Sequence, residues 1–296
     1  MLDQASLLRS MASQACQSLD DSNVSEHQPV AIAITSGKGG VGKTNVVANL
    51  AVSLANMNKR VLILDADFGL ANVDVLLGLV PKHNLRDFIF GDLELEDIVV
   101  EGPSGVRIIP ASCGIEQMAA LTLEQQRKLI RGLSRLGVQT DYLLIDTAAG
   151  ISNNVINFLL AAGLVIVVTT PEPTAIVDAY LMVKILAHRE PGKTVSILVN
   201  SVSGRDEAQS VFRQIDAVSR RFLSRPLELL GFIEKDKNVL EAVRQQDSVV
   251  NLYPHTVASR CIKTLARKLD RQSAARKRQE DTALSWNELF GETDSM

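Results

Sequence analysis

The segment Ser36-Gly37-Lys38-Gly39-Gly40-Val41-Gly42-Lys43-Thr44 constrains this chain more than any other. From Gly37 to Thr44 it fits the spacing G-x-x-x-x-G-K-[S/T]. The apolar run Val30–Thr35 leads into it, and a segment of helical periodicity, residues 44–58, leaves it. Glycines here let backbone N–H groups turn inward around phosphate oxygens. The helix beginning near Gly42 aims the positive end of its dipole at the same anion. Lys43 adds a full charge at the β- and γ-phosphates, and the Thr44 hydroxyl is placed to ligate Mg²⁺. Gly37, Lys38, Gly39, Gly40, Val41, Gly42, Lys43 and Thr44 are thus expected to cradle a nucleoside triphosphate with its Mg²⁺.

The rest of the chain supplies a sheet for such a loop. Further apolar runs read as buried strands: Val61–Asp65, Val106–Pro110, Tyr142–Asp146, Leu164–Thr170, Val195–Asn200 and Leu229–Ile233. They lack in/out alternation, which means burial on both faces. Amphipathic segments of helical length lie between most of them, such as 122–136, 176–189 and 206–222. Residues 238–246 and 254–270 read as C-terminal helices. The pattern predicts an α/β P-loop fold: a mostly parallel, twisted sheet of about seven to eight strands covered by helices on both faces. No internal repeat interrupts it.

Carboxylates stand where this sheet would bind a ligand. Val61-Leu62-Ile63-Leu64-Asp65-Ala66-Asp67 puts two acids at a strand's carboxyl end, and Tyr142–Asp146 ends in one. Parallel sheets bind ligands at that edge. Asp65 and Asp67 also suit a cap on the turn or helix that follows. The run 195–200 ends in Asn200, whose amide can read an amine and a ring nitrogen together, or serve only as a turn residue.

Composition narrows the class. Of 296 residues, 46% are hydrophobic and 22% charged, enough apolar material for a sizeable core. No apolar run reaches the ~18–20 residues of a membrane span. The nearest, 158–170, contains Gly163 and leads into Pro171. Asp3 and the absence of a long apolar block near it argue against a secretory leader. Cys16, Cys113 and Cys261 are too scattered for a disulfide framework or a cysteine-rich metal site, as expected of reduced thiols in a cytoplasmic protein.

The net charge of −3 hides a division: −3 over residues 1–28, −1 over 29–262, +6 over 263–278 and −5 over 279–296. The neutral body argues against non-specific DNA binding through a broad basic surface, and no sequence-specific nucleic-acid binding is expected. Three segments follow: 1–28, a helix and polar linker; 29–270, the nucleotide-binding domain; and 271–296, a tail. In the first, Leu2, Ala5, Leu8, Ala12, Ala15 and Leu19 stripe one helix face. In the tail, Arg276-Lys277-Arg278 precede Trp286, Leu289 and Phe290, which suits an interfacial membrane anchor. Glu280, Asp281, Glu288, Glu292 and Asp294 would be repelled by anionic lipid, so a partner-binding helix and a tail folded onto the domain stay open.

Lys38, within K-G-G-V-G-K-T, resembles the signature lysine of the deviant Walker A family of ATPases, which includes MinD, ParA and the nitrogenase iron protein. The resemblance covers roughly residues 30–270. It implies an ATP-bound homodimer and an ADP-bound monomer, with Lys38 reaching across to the partner's nucleotide as an arginine finger does. As a bare pattern, Lys38 is also an exposed loop lysine. By the same resemblance, Asp67 is the switch I carboxylate that orients the attacking water, and Asp65 supports the metal shell. Asp146 would hold Mg²⁺, and a backbone N–H at Ala149-Gly150 would sense the γ-phosphate in switch II. Asn200 would bond adenine, covered by the loop 233–239.

Within that family, three stretches resemble the FlhG (FleN) group of flagellar-number regulators: Asp65 to Leu79, Asp146 to Ile151 and Glu172 to Tyr180. The third would line the dimer face, or begin a helix with Thr174 as its cap. Asp3-Gln4-Ala5-Ser6-Leu7-Leu8-Arg9 resembles that group's D-Q-A-x-x-L-R element, which docks on the signal-recognition-type GTPase FlhF and stimulates its GTP hydrolysis. Asp3, Gln4, Ala5, Leu8 and Arg9 would then bind that partner; a helix lying on its own domain is the plainer alternative. The resemblance further implies control of polar flagella and restraint of a FleQ/FlrA-type transcription activator. It also implies peripheral contact with the inner face of the cytoplasmic membrane at a cell pole. A ParA-type ATPase positioning a chromosome, plasmid or division site is the second reading. An iron–sulfur carrier would need a cysteine pair near the dimer axis, which this chain does not offer.

Overall fold

The computed structural model describes residues 28–67, 72–111 and 122–276. The N-terminal helix expected over 1–19, residues 68–71, and the tail with Trp286, Leu289 and Phe290 lie outside the described residues.

β1 (Val30–Thr35) is buried along its whole length and leads through the glycine loop into α1 (Lys43–Ala55). Then come β2 (Val61–Ala66), the short helices α2 (Val73–Leu76), α3 (Leu85–Phe90) and α4 (Leu95–Ile98), and the strands β3 (Val100–Glu101) and β4 (Arg107–Ile109). α5 (Leu123–Val138), β5 (Tyr142–Thr147), α6 (Asn153–Ala161), β6 (Leu164–Thr169), α7 (Pro173–Arg189), β7 (Val195–Val202), α8 (Arg205–Leu223) and β8 (Glu228–Glu234) alternate. α9 (Lys237–Arg244), α10 (Val249–Leu252) and α11 (Val257–Arg276) end the described chain.

The eight strands form one sheet in the order β3-β4-β2-β5-β1-β6-β7-β8. Every pairing is parallel except β3 with β4. Runs of Val, Ile and Leu buried on both sides are what a doubly covered parallel sheet needs. One core packs α3 to α8 on one face; the other packs α1, α2 and α9 to α11 on the opposite face. β1 lies between β5 and β6, so strands added on either side diverge from its carboxyl end. That edge is where open α/β sheets bind ligands.

The sequence-based element list is adjusted at several places. The strand expected over Leu164–Thr170 is β6, Leu164–Thr169, and the apolar residues 158–161 before it close α6. β3 was not expected; two residues carry no periodicity, and a tight turn at Pro103–Gly105 folds it onto β4. The first helix stops at Ala55 rather than running to residue 58. α11 begins at Val257, after a turn at Tyr253–Thr256, and continues to Arg276. No helix among the described residues is long and apolar enough to cross a membrane.

Candidate nucleotide-binding site

An α-helix leaves its first N–H groups unpaired, and five of the described helices satisfy them with a side-chain cap. Asn84, Thr122, Ser152, Asp236 and Ser248 cap α3, α5, α6, α9 and α10. α1 is different. It starts from Gly42 in the left-handed region (φ 86°), with no side-chain cap and no acid in its first turn. Its donors and its dipole are left for an anion from outside the chain. Gly40 also takes a positive φ of 80°. Gly37 is needed for space: a Cβ there would overlap the backbone carbonyl of Asp178 on α7.

Lys43, the first residue of α1, pairs with Asp146 at the end of β5, Nζ to Oδ1 at 2.5 Å. Both are buried. The Thr44 hydroxyl also bonds the Asp146 carboxylate. Burial nonetheless holds Asp146 above the usual carboxylate range, outweighing the opposing pull of Lys43. Asp65 stands beside it, Cα partner to Cα partner across β2 and β5. Burial first, and the Asp146 charge second, push the Asp65 carboxyl up to about 7.

Asp65 works on the backbone. Its Oδ1 accepts the Asp67 N–H at 3.0 Å, and its Oδ2 accepts those of Asn72 and Val73 at 3.2 and 3.4 Å. It therefore ties down both ends of the loop that leaves β2. Asp67 begins that loop, close enough to Asp146 for its charge to raise that acid further. The Gly150 N–H, expected to sense a γ-phosphate, donates here to the Ser36 carbonyl at 3.0 Å.

Lys38 turns outward from the pair at Asp146. Its Nζ donates to Glu172 Oε2 at 2.7 Å and to Thr174 Oγ1 at 3.2 Å. Glu172, not Thr174, is the N-cap position of α7, and Pro173 opens the helix. Proline at the first helical position costs no hydrogen bond, which explains a start three residues before the expected 176. Sequence reasoning did not find the bonds from Lys38 to Glu172 and Thr174, although both residues lie in the segment quoted for its resemblance. A cleft of about 630 Å³ opens beside the loop, lined by Gly40, Val41, Gly42, Pro171, Asn200 and Lys235 among others. Asn200 and Lys235 thus share one cleft with the phosphate loop.

For Mg²⁺, the Thr44 hydroxyl and the Asp146 carboxylate meet directly and fit a hard cation that takes oxygen ligands. Among the described residues, no group of three or more His, Cys, Asp or Glu could hold a metal alone. The ion would be completed by phosphate oxygens and water, the usual arrangement for Mg²⁺.

A glycine loop between a buried strand and an uncapped helix, facing a Lys–Asp pair at the carboxyl edge, defines a P-loop nucleoside triphosphatase. A family model described as an AAA domain matches residues 30–189. Antiactivator FleN of Pseudomonas aeruginosa is 45% identical over 83% of this chain and 88% of its own length. The flagellum site-determining protein YlxH of Helicobacter pylori is 34% identical over 79% of this chain and 80% of its own. The septum site-determining protein MinD of Pyrococcus horikoshii, solved with Mg-ADP, superposes with a TM-score of 0.68 at 26% identity, covering 83% of this chain and 98% of that one. The chain belongs to the MinD/ParA family of P-loop ATPases.

Proposed function

We propose that this ATPase is a switch that dimerises on ATP, hydrolyses it slowly, and regulates the number and placement of polar flagella. Lys38 carries the switch part of the proposal. A phosphate chain in this loop already meets Lys43 and the α1 N-terminus, so a second cation is not needed in cis. Lys38 sits on the rim instead, 40% exposed, and among the described residues it is held by an exposed glutamate and a threonine. From there it can be exchanged onto a second copy's nucleotide, supplying charge to the transition state only when two chains meet.

In this scheme Asp67 orients the attacking water, and Asp65 fixes the loop from which it works. Thr44 and Asp146 hold Mg²⁺, which when bound neutralises charge on the phosphates. Asn200 and Lys235 bound the base, and Gly150 exchanges its bond to Ser36 for the γ-phosphate. Residues Asp3 to Arg9 dock on an FlhF-type GTPase and stimulate it, and a FleQ/FlrA-type transcription activator is restrained. The tail around Trp286, Leu289 and Phe290 brings the dimer to the inner face of the cytoplasmic membrane at a pole. Similarity to an antiactivator and to a flagellum site-determining protein supports the flagellar output.

Size-exclusion chromatography with ADP and with ATP, on wild type and Asp67→Ala, tests the switch. The expected result is a monomer with ADP, a dimer with ATP, and a longer-lived dimer in Asp67→Ala, with turnover reduced roughly 100-fold or more. A monomer under all conditions would remove the switch. Unchanged turnover in Asp67→Ala, with ATP still bound, would show that another group positions the water.

A further inference from the structure

Asn200 makes a bond that base reading does not require. Its Nδ2 donates to the Val41 carbonyl, inside the phosphate loop, at 2.8 Å. A loop that turns its N–H groups towards an anion must turn carbonyls elsewhere, and each needs a donor. For Val41 the donor comes from β7.

Two backbone features make the bond possible. Gly42 leaves room: a Cβ there would stand 2.5 Å from Nδ2. Ser201, the next residue after Asn200, is in the left-handed region at φ 59°. The β7–β8 register slips at this point, with Asn200 opposite Ile233 and Val202 opposite Glu234, so Ser201 is the extra residue of a bulge. Bulges re-aim the side chains beside them. A non-glycine residue keeps a left-handed φ only where its surroundings enforce it.

The amide's own chemistry gives the bond a consequence. Asparagine carries two N–H donors and one carbonyl acceptor. Val41 offers only an acceptor, so the amide cannot flip without setting oxygen against oxygen. One N–H and Oδ1 then remain for the cleft, in a fixed order. Adenine matches that pair with its N7 acceptor and N6 donor; guanine presents acceptors at both N7 and O6 and would place O6 against Oδ1.

We propose that the Asn200–Val41 bond is a positioning device with two effects. It holds the phosphate loop in its binding shape, and it locks the amide in the orientation that selects adenine over guanine. The second effect rests on the assignment of the cleft to the nucleobase; the first does not.

Mg²⁺–tripolyphosphate, which has neither base nor ribose, separates the two. Its binding to the full chain, and that of ATP and GTP, would be titrated by calorimetry for wild type, Asn200→Ala and Asn200→Leu. Leucine keeps the volume and so covers the case in which the alanine variant does not fold, checked by circular dichroism. A residue that only reads the base would leave tripolyphosphate binding untouched. The expected result is about three- to tenfold weaker tripolyphosphate binding in both variants, the worth of one hydrogen bond. ATP should weaken further, and the preference for ATP over GTP should fall towards one. Ser201→Val, which disfavours the left-handed bulge while keeping the amide, should weaken tripolyphosphate in the same direction. Unchanged tripolyphosphate affinity in the folded Asn200 variants would overturn the loop-holding role. A wild type that binds ATP and GTP equally would overturn the base assignment, and with it the selectivity, while the tripolyphosphate result still judges the loop.

Discussion

The two lysines of the phosphate loop form ion pairs of almost equal length in opposite surroundings. Lys43 meets Asp146 at 2.5 Å with side chains 7% and 1% exposed; Lys38 meets Glu172 at 2.7 Å with side chains 40% and 63% exposed. Length therefore says little about what each pair does. In the interior, either charge left alone is expensive, so Lys43 and Asp146 hold each other until another charged ligand arrives. At the surface, a pair contributes roughly 0–1 kcal/mol and is screened by salt, so Lys38 can change partners at small cost. One end of the loop is built to grip, and the other to let go.

Removing the buried cation should break this contrast most severely if it is wrong. Lys43→Met keeps much of the stem's volume and leaves Asp146 buried without its partner. The expected loss of unfolding free energy is about 3–5 kcal/mol at neutral pH. It should shrink in acid, because burial already holds the Asp146 carboxyl above its ordinary range and a proton relieves the charge. Urea denaturation of the nucleotide-free protein at two pH values measures both. A loss under about 1 kcal/mol at neutral pH would mean that the buried pair behaves like a surface pair.

The same buried corner should respond to pH. Burial, and then the Asp146 charge, push the Asp65 carboxyl up to about 7, from an ordinary aspartate value of 3.8. The folded state thus holds this proton more tightly than the unfolded chain. Its contribution to stability is fully present below about pH 4 and is lost as pH rises through 7. Stability of the nucleotide-free protein should fall over that window on account of Asp65, and Asp65→Asn should flatten the slope. The difference in melting temperature between variant and wild type, followed from pH 4.5 to 7.5, reads this directly. A constant difference would show that Asp65 does not change its charge there.

The gripping end was legible in the sequence because a phosphate cradle is local. Gly37 to Thr44, the strand before it and the helix after it all sit in one stretch, and Asp146 is visible as an acid ending an apolar run. What the loop touches was not legible. Asp65 and Asp146 become neighbours only because β2 pairs with β5, a matter of crossovers rather than of local pattern. Glu172 reaches Lys38 because α7 starts at Pro173, earlier than its apolar periodicity indicates. The Asn200–Val41 bond depends on a left-handed serine, and serine, unlike glycine, does not announce a positive φ.

The smallest expected effect probes the releasing end. Glu172→Gln keeps the shape of the side chain and removes the charge that faces Lys38. Because the pair is exposed, unfolding free energy should change by less than about 0.5 kcal/mol, and that change should fade in high salt. The dimer should be more sensitive than the fold. In the proposed switch Lys38 would then cross to a second copy without first leaving an ion pair, so an ATP-dependent dimer should tighten by up to about fivefold, a free-energy gain within the range of one surface pair. Sedimentation in ATP, with Asp67→Ala in both chains to prevent turnover from dissolving the dimer, measures this. A weaker dimer would mean that the Glu172 carboxylate is used in the assembled state as well. Lys38 would then be held at both stages of the cycle, and the loop would have two gripping ends rather than one.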